Sequence, residues 1–88
     1  MKAAKEPVVR ALKTAKGQLE GILRMVEEDR YCVDISNQLL ATEALLRKTN
    51  KAVLQAHLEH CVAQSLQTGD DVQTKMAEIM ALLDKMTR

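Results

Sequence analysis

The sequence has no tryptophan, no phenylalanine and a single tyrosine, Tyr31. Any core must therefore be built from Leu, Ile, Val, Met and Ala, a helical composition. Three glycines and one proline supply too little turn chemistry for an all-β fold. No apolar run approaches the ~20 residues needed to span a bilayer, and the N-terminus lacks the apolar stretch of a secretory signal. The chain therefore reads as cytoplasmic, with no membrane partner. It also lacks a Gly-rich phosphate loop and any base paired with a nucleophile outside the Cys and His residues discussed below, so an enzyme is not expected. The two cysteines, in a reducing compartment, read as thiols, metal ligands or redox sensors rather than as a structural disulfide.

Eighty-eight residues, 47% apolar and 28% charged, suit one small globular domain over residues 1–88. The formal net charge of +1 hides an uneven map. Lys2, Lys5, Arg10, Lys13 and Lys16 face a single acid, Glu6, in the first segment.

Pro7 suits the first turn of a helix, where its missing N–H is harmless. Val8, Val9, Leu12, Ala15, Leu19, Ile22, Leu23 and Val26 then recur at spacings of three and four, which predicts a helix over about residues 6–28. A turn follows near Asp29 to Tyr31. A second stripe begins at Cys32 and runs through Ile35, Leu39, Thr42, Leu46, Val53, Ala56 and Cys61 without an internal Gly or Pro, predicting an unusually long helix. Gly69 is expected to stop it and Asp70 or Asp71 to cap the next. Met76, Ile79, Met80, Leu83 and Met86 mark a third helix. The fold class is all-α, a three-helix protomer. A first helix of about 23 residues covers only part of so long a partner, and the remaining stripe calls for self-association, most simply as a two-fold antiparallel four-helix-bundle dimer.

Chemistry concentrates in Cys32, His57, His60 and Cys61. His57 and Cys61 are four apart, one turn above each other, and can share a ligand. Cys32 precedes His57 by 25 positions, roughly 37 Å along one helix, so no single chain unites the three. Antiparallel pairing does: if Cys32 of one chain faces Cys61 of the other, the two-fold axis falls at Leu46 and Arg47, near the middle of the long helix. Two thiolates and an imidazole form a soft three-coordinate set suited to Cu(I), while Zn(II) would need a fourth ligand. The same thiols suit an oxidant or persulfide sensor, and free cysteines equally serve as small core hydrophobes. His60, 100° around the helix from Cys61, is expected at the surface. Met25, Met76, Met80 and Met86 fall on core stripes and read as filler rather than thioether ligands.

A hairpin turning near residue 30 sets Lys13 level with Arg47, so Arg10, Lys13 and Lys16 are expected to meet Arg47, Lys48 and Lys51 in one basic patch. No acid lies between Glu43 and Glu59. Such a patch suits the phosphate backbone of DNA, although a charge run also serves simply as a solvated face.

The segment Gly17-Gln18-Leu19-Glu20-Gly21-Ile22, then Met25 to Cys32, then His57-Leu58-Glu59-His60-Cys61, resembles the CsoR/RcnR family of small helical bacterial repressors, from about residue 9 onward. Within that family Cys32, His57 and Cys61 match the Cys-His-Cys set of the copper(I) sensors; the persulfide-sensing branch lacks the histidine, and nickel, cobalt and formaldehyde sensors lack the second thiol. The resemblance implies a dimer of dimers, a homotetramer that binds operator DNA without metal and releases it when Cu(I) fills the site. It further implies that Tyr31, and Glu78 on the third helix, support the metal ligands from outside. Two positions depart from the pattern. Where the family carries arginine three and six residues before Gly17-Gln18, this chain has Thr14 and Ala11, leaving Arg10, Lys13 and Lys16 as the phosphate contacts of the first helix. A persulfide- or oxidant-sensing repressor using Cys32 and Cys61, and a copper-binding helical module that regulates no DNA, are the competing functions.

Overall fold

The structure, a computed structural model, describes residues 1–68 and 72–86. Three helices account for nearly all of them: α1 (Lys5–Glu27), α2 (Cys32–Thr68) and α3 (Val72–Met86). The all-α class and the three elements agree with the sequence pattern to within about a residue at the boundaries that pattern specified. The expected stop at Gly69 and caps at Asp70 or Asp71 lie outside the described residues.

Helix α1 starts without a side-chain cap at Ala4. Pro7 sits in its first turn, where no intrahelical N–H is required. Its C-terminus is closed by backbone geometry: the Asp29 N–H donates to the Val26 carbonyl (3.1 Å) and the Arg30 N–H to the Met25 carbonyl (2.9 Å). This is a Schellman closure, and it puts Asp29 in the left-handed region at φ 54°. The chain reverses there, and α2 begins at once, with the Ile35 N–H donating to the Tyr31 carbonyl at 3.1 Å.

The α1–α2 hairpin is held in register by one buried polar contact. The Thr42 hydroxyl donates to Gln18 Oε1 at 2.7 Å, and Thr42 is only 3% exposed. Around it α1 offers buried Ala15 and Ile22, flanked by half-buried Val8, Ala11 and Met25, and α2 offers half-buried Ile35, Leu45 and Thr49. Helix α3 packs on the second half of α2 through buried Ile79 and half-buried Lys75, Leu82 and Met86. Among the described residues α1 and α3 do not touch.

The apolar periodicity of α1 splits into two faces. Val9, Leu12, Leu19, Leu23 and Val26 form a stripe beside the α2-facing one, and all five are exposed, Leu23 at 60%. Leu39, Leu40 and Leu46 on α2, and Met76, Met80 and Leu83 on α3, are exposed as well. Leu39, Leu46, Met76, Met80 and Leu83 therefore do not enter this chain's core as their spacing suggested, whereas Met25 and Met86 are half-buried. The reason is architectural. The molecule measures 57 × 28 × 13 Å: its length is that of α2, ~55 Å at 1.5 Å per residue, and its thickness that of about one helix. A single layer of helices has no second layer to cover it.

Candidate metal centre

Cys61 and His57 sit in the second half of α2, one turn apart. Cys61 is 6% exposed, His57 is half-buried, and Cys61 Sγ lies 3.4 Å from His57 Nε2. Metal–sulfur and metal–nitrogen bonds of about 2.3 and 2.0 Å would separate two such donors bound to one ion by roughly 3.5 Å, so the pair already has the spacing of neighbouring ligands. Helix α3 adds Glu78, whose Oε1 is 3.6 Å from the same Nε2. Sulfur and carboxylate thus face one ring nitrogen. A ligand taking up Nε2 displaces the carboxylate, whereas a ligand at Nδ1 leaves it in place.

Cys32 stands apart. It is the first residue of α2, exposed, and the unbroken helix puts it roughly 37 Å from His57. Tyr31, beside it, is 67% exposed and shares that far end. Among the described residues no three His, Cys, Asp or Glu side chains of one chain converge as a metal site. The protomer thus holds two donors and a carboxylate at one end of α2 and a lone thiol at the other. His60 is exposed, as its angular position requires.

The basic residues are all at the surface: Arg10, Lys13 and Lys16 on α1, Arg47, Lys48 and Lys51 on α2. The turn at Asp29 does bring the two clusters level, since residue numbers across the hairpin sum to about 60, as in Gln18–Thr42. Level is not adjacent. Lys48 lines a hollow at the helix seam with Pro7, Val8 and Ala11, but Arg47 turns toward the end of α3, beside Glu43, Asn50 and Met86. Arg10 and Lys13 line a separate hollow made by α1 alone. At 100° per residue Lys13 falls roughly opposite the Ala11, Ala15, Gln18 and Ile22 face. The single merged patch expected from the hairpin is therefore not formed within one chain.

Sequence reasoning also missed a contact: Arg47 is hydrogen-bonded to Glu43, one turn earlier on α2. The i, i+4 spacing carried that signal, though the acid lies just outside the basic run.

Residues 4–85 match the family described as metal-sensitive transcriptional repressor. The chain belongs to this family. It is accordingly a metal-sensitive, DNA-binding repressor rather than an enzyme. Among similar proteins, the copper-sensing transcriptional repressor CsoR of Bacillus subtilis is 38% identical over 84 residues, 96% of this chain and 82% of that protein. The copper-sensing transcriptional repressor RicR of Mycobacterium tuberculosis is 35% identical over 85 residues, 96% of this chain and 88% of that protein. In three dimensions the chain resembles the crystal structure of the copper-sensing repressor CsoR with Cu(I) from Geobacillus thermodenitrificans. The TM-score is 0.86 and the identity 33%, covering 100% of this chain and 94% of that one. The nickel-responsive transcriptional regulator InrS superposes with a TM-score of 0.84 at 23% identity, covering 98% of this chain and 96% of that one, a likeness of fold alone. Family membership extends over nearly the whole chain. Among the described residues no helix is long and apolar enough to cross a membrane.

Proposed function

We propose that this repressor senses Cu(I) through sites shared between subunits, each made of Cys32 from one chain and His57 and Cys61 from another. The observation that carries this reading is the 3.4 Å pairing of His57 and Cys61 on one turn, with the only other thiol at the opposite end of the same rod. A two-coordinate half-site is completed most directly by the lone thiol of an antiparallel partner. Two thiolates and an imidazole supply soft donors, which favour Cu(I) over divalent ions. The similarity to copper-sensing repressors supports the same metal. Tyr31, next to Cys32 in sequence, and Glu78 on α3 support the ligands from outside. An ion at His57 Nε2 takes the place of the Glu78 carboxylate that lies 3.6 Å from that atom, so Glu78 acts from beside the bound ion rather than on the ring nitrogen.

The DNA-binding form is the metal-free oligomer, a dimer of antiparallel bundles pairing into a tetramer in the cytoplasm. Arg10, Lys13, Lys16, Arg47, Lys48 and Lys51 engage the phosphates of operator DNA, brought together by assembly rather than within one chain. Bridging two chains through one ion favours one quaternary geometry, and by linkage that preference lowers affinity for DNA by the same free energy.

X-ray absorption of the Cu(I)-loaded protein, with its mass in solution, tests the reading: two sulfurs and one nitrogen per ion on an oligomer are expected. Cys32→Ala is expected to weaken Cu(I) binding by more than the roughly 10–100-fold that loss of an outer-shell group costs. Unchanged Cu(I) affinity in that variant removes the shared site.

The exposure of Cys32 favours one second reading, a thiol sensor in which the Cys32 thiolate attacks an oxidant or the outer sulfur of a persulfide and Cys61 of another chain then closes a disulfide, expelling the reduced oxidant or hydrosulfide. Crosslinked dimer and lost DNA binding after persulfide treatment, with no response to Cu(I), would select it.

A further inference from the structure

The charge map of α2 contains one acid in contact with a proposed DNA-binding residue. Arg47 is bonded to Glu43 across one helical turn, and both side chains are largely exposed, 68% and 57%. Among the described residues neither Lys48 nor Lys51 has an ion-pair partner. The occupied cation is the arginine, the one member of this cluster whose planar fork can grip a phosphate with two parallel hydrogen bonds. The Glu43 carboxylate occupies one nitrogen of that fork, Nη2, through its Oε1, a position that a phosphate oxygen can equally take.

We propose that Glu43 is an internal competitor for DNA phosphate: it holds Arg47 in the free protein, and binding DNA exchanges the carboxylate for a phosphate. The inference rests on the reading of Arg47 as a phosphate contact. Its consequence is a lowered, tunable affinity for DNA of any sequence. An exposed i, i+4 pair is weak, so one exchange changes an equilibrium constant only about twofold. Every Arg47 touching the duplex repeats the effect, and two to four copies compound it to roughly four- to sixteenfold. Glu43 freed from Arg47 also gathers a cation near the DNA, which offsets part of the counterion release that drives binding. The acid therefore flattens the salt dependence as well as weakening the complex.

The test uses the full-length metal-free protein and a random-sequence 30-base-pair duplex, titrated by fluorescence anisotropy at several salt concentrations. Glu43→Gln is expected to tighten binding about four- to sixteenfold and to steepen the fall of affinity with salt. Glu59→Gln removes the same charge from a carboxylate that, among the described residues, accepts from Gln55 at 3.3 Å. It lies twelve residues along the helix from Arg47, about 18 Å and beyond the ~8 Å screening length, and is expected to change affinity less than twofold. In an Arg47→Gln background the gain from Glu43→Gln is expected to fall to the Glu59→Gln level. A gain that persists there means the carboxylate acts by repelling the duplex, and overturns the exchange; so does equal behaviour of the two acid variants. A separate outcome, Arg47→Gln leaving DNA affinity unchanged, overturns the placement of Arg47 at the duplex instead. Both acids are exposed, and an unaltered helical circular dichroism signal confirms that the variants fold.

Discussion

At the scale of single residues, the chain keeps one conformational liability where a helix must stop. Asp29 adopts φ 54° so that the Arg30 N–H can reach the Met25 carbonyl, a position that glycine fills without steric penalty. The left-handed conformation costs an ordinary L-residue about 1–2 kcal/mol, somewhat less for Asp. Asp29→Gly is expected to stabilise the fold by roughly 0.5–1 kcal/mol after the extra chain entropy of glycine is deducted. Asp29→Val is expected to destabilise it by more than that. Urea denaturation of both variants, with an unchanged slope, measures the difference; a destabilised glycine variant would show that the aspartate side chain contributes more than its backbone strain removes. The same turn fixes how far each basic residue lies from the hairpin end, which links a backbone angle to the spacing of the proposed phosphate contacts.

At the scale of helices, what holds α1 against α2 at one register is a polar pair inside an apolar seam. Sliding α1 by one turn would leave the Thr42 hydroxyl, now donating to Gln18 at 2.7 Å, without that partner, and a buried hydroxyl without an acceptor is costly. Thr42→Val keeps the shape and removes the donor, so it is expected to lower stability by about 1 kcal/mol, read from the urea midpoint. No change in midpoint would mean that apolar packing alone sets the register. Much at this scale is legible from sequence, because helical periodicity is local: α1, α2 and α3, the turn near residue 30 and the pairing of His57 with Cys61 all follow from spacing. What spacing does not carry is which of two adjacent apolar stripes a helix turns inward. Ala15 and Ile22 are buried while Leu12, Leu19 and Leu23 are exposed, although hydrophobicity alone ranks the leucines above alanine. Small Ala15 lets the backbones approach, and the bulky leucines remain for another surface. The basic clusters illustrate the same limit: their level along the hairpin follows from counting, whereas their separation around it depends on where each helix puts its contact face.

At the scale of the molecule, the chain exposes more surface than a compact domain of its mass, which is what the proposed assembly would cover. The accessible area is 6993 Å², against about 5,200 Å² for a compact chain of 9.8 kDa by the usual size scaling. The radius of gyration, 17.5 Å, likewise exceeds the ~12 Å of a compact 88-residue domain. The excess area is about twice the ~800 Å² that each partner contributes to a standard stable interface. The face that α1 turns outward offers a substitution whose sign depends on assembly. In an isolated protomer Leu19 and Leu23 are 46% and 60% exposed, and exchanging exposed leucines for glutamate alters stability by only about 0.5 kcal/mol. Against a second copy the same exchange buries carboxylates without partners, at several kcal/mol. The Leu19→Glu, Leu23→Glu double variant is therefore expected to lose oligomer mass by sedimentation, to lose much of its helical signal at micromolar concentration, and to release DNA without any metal. Retained mass and helicity would mean that this stripe faces solvent in the assembled repressor. The uncovered side chains of α2 and α3, Leu40 and Met80 foremost among them, would then have to supply the proposed interface, and the proposed pairing of Cys32 with His57 would need a different axis.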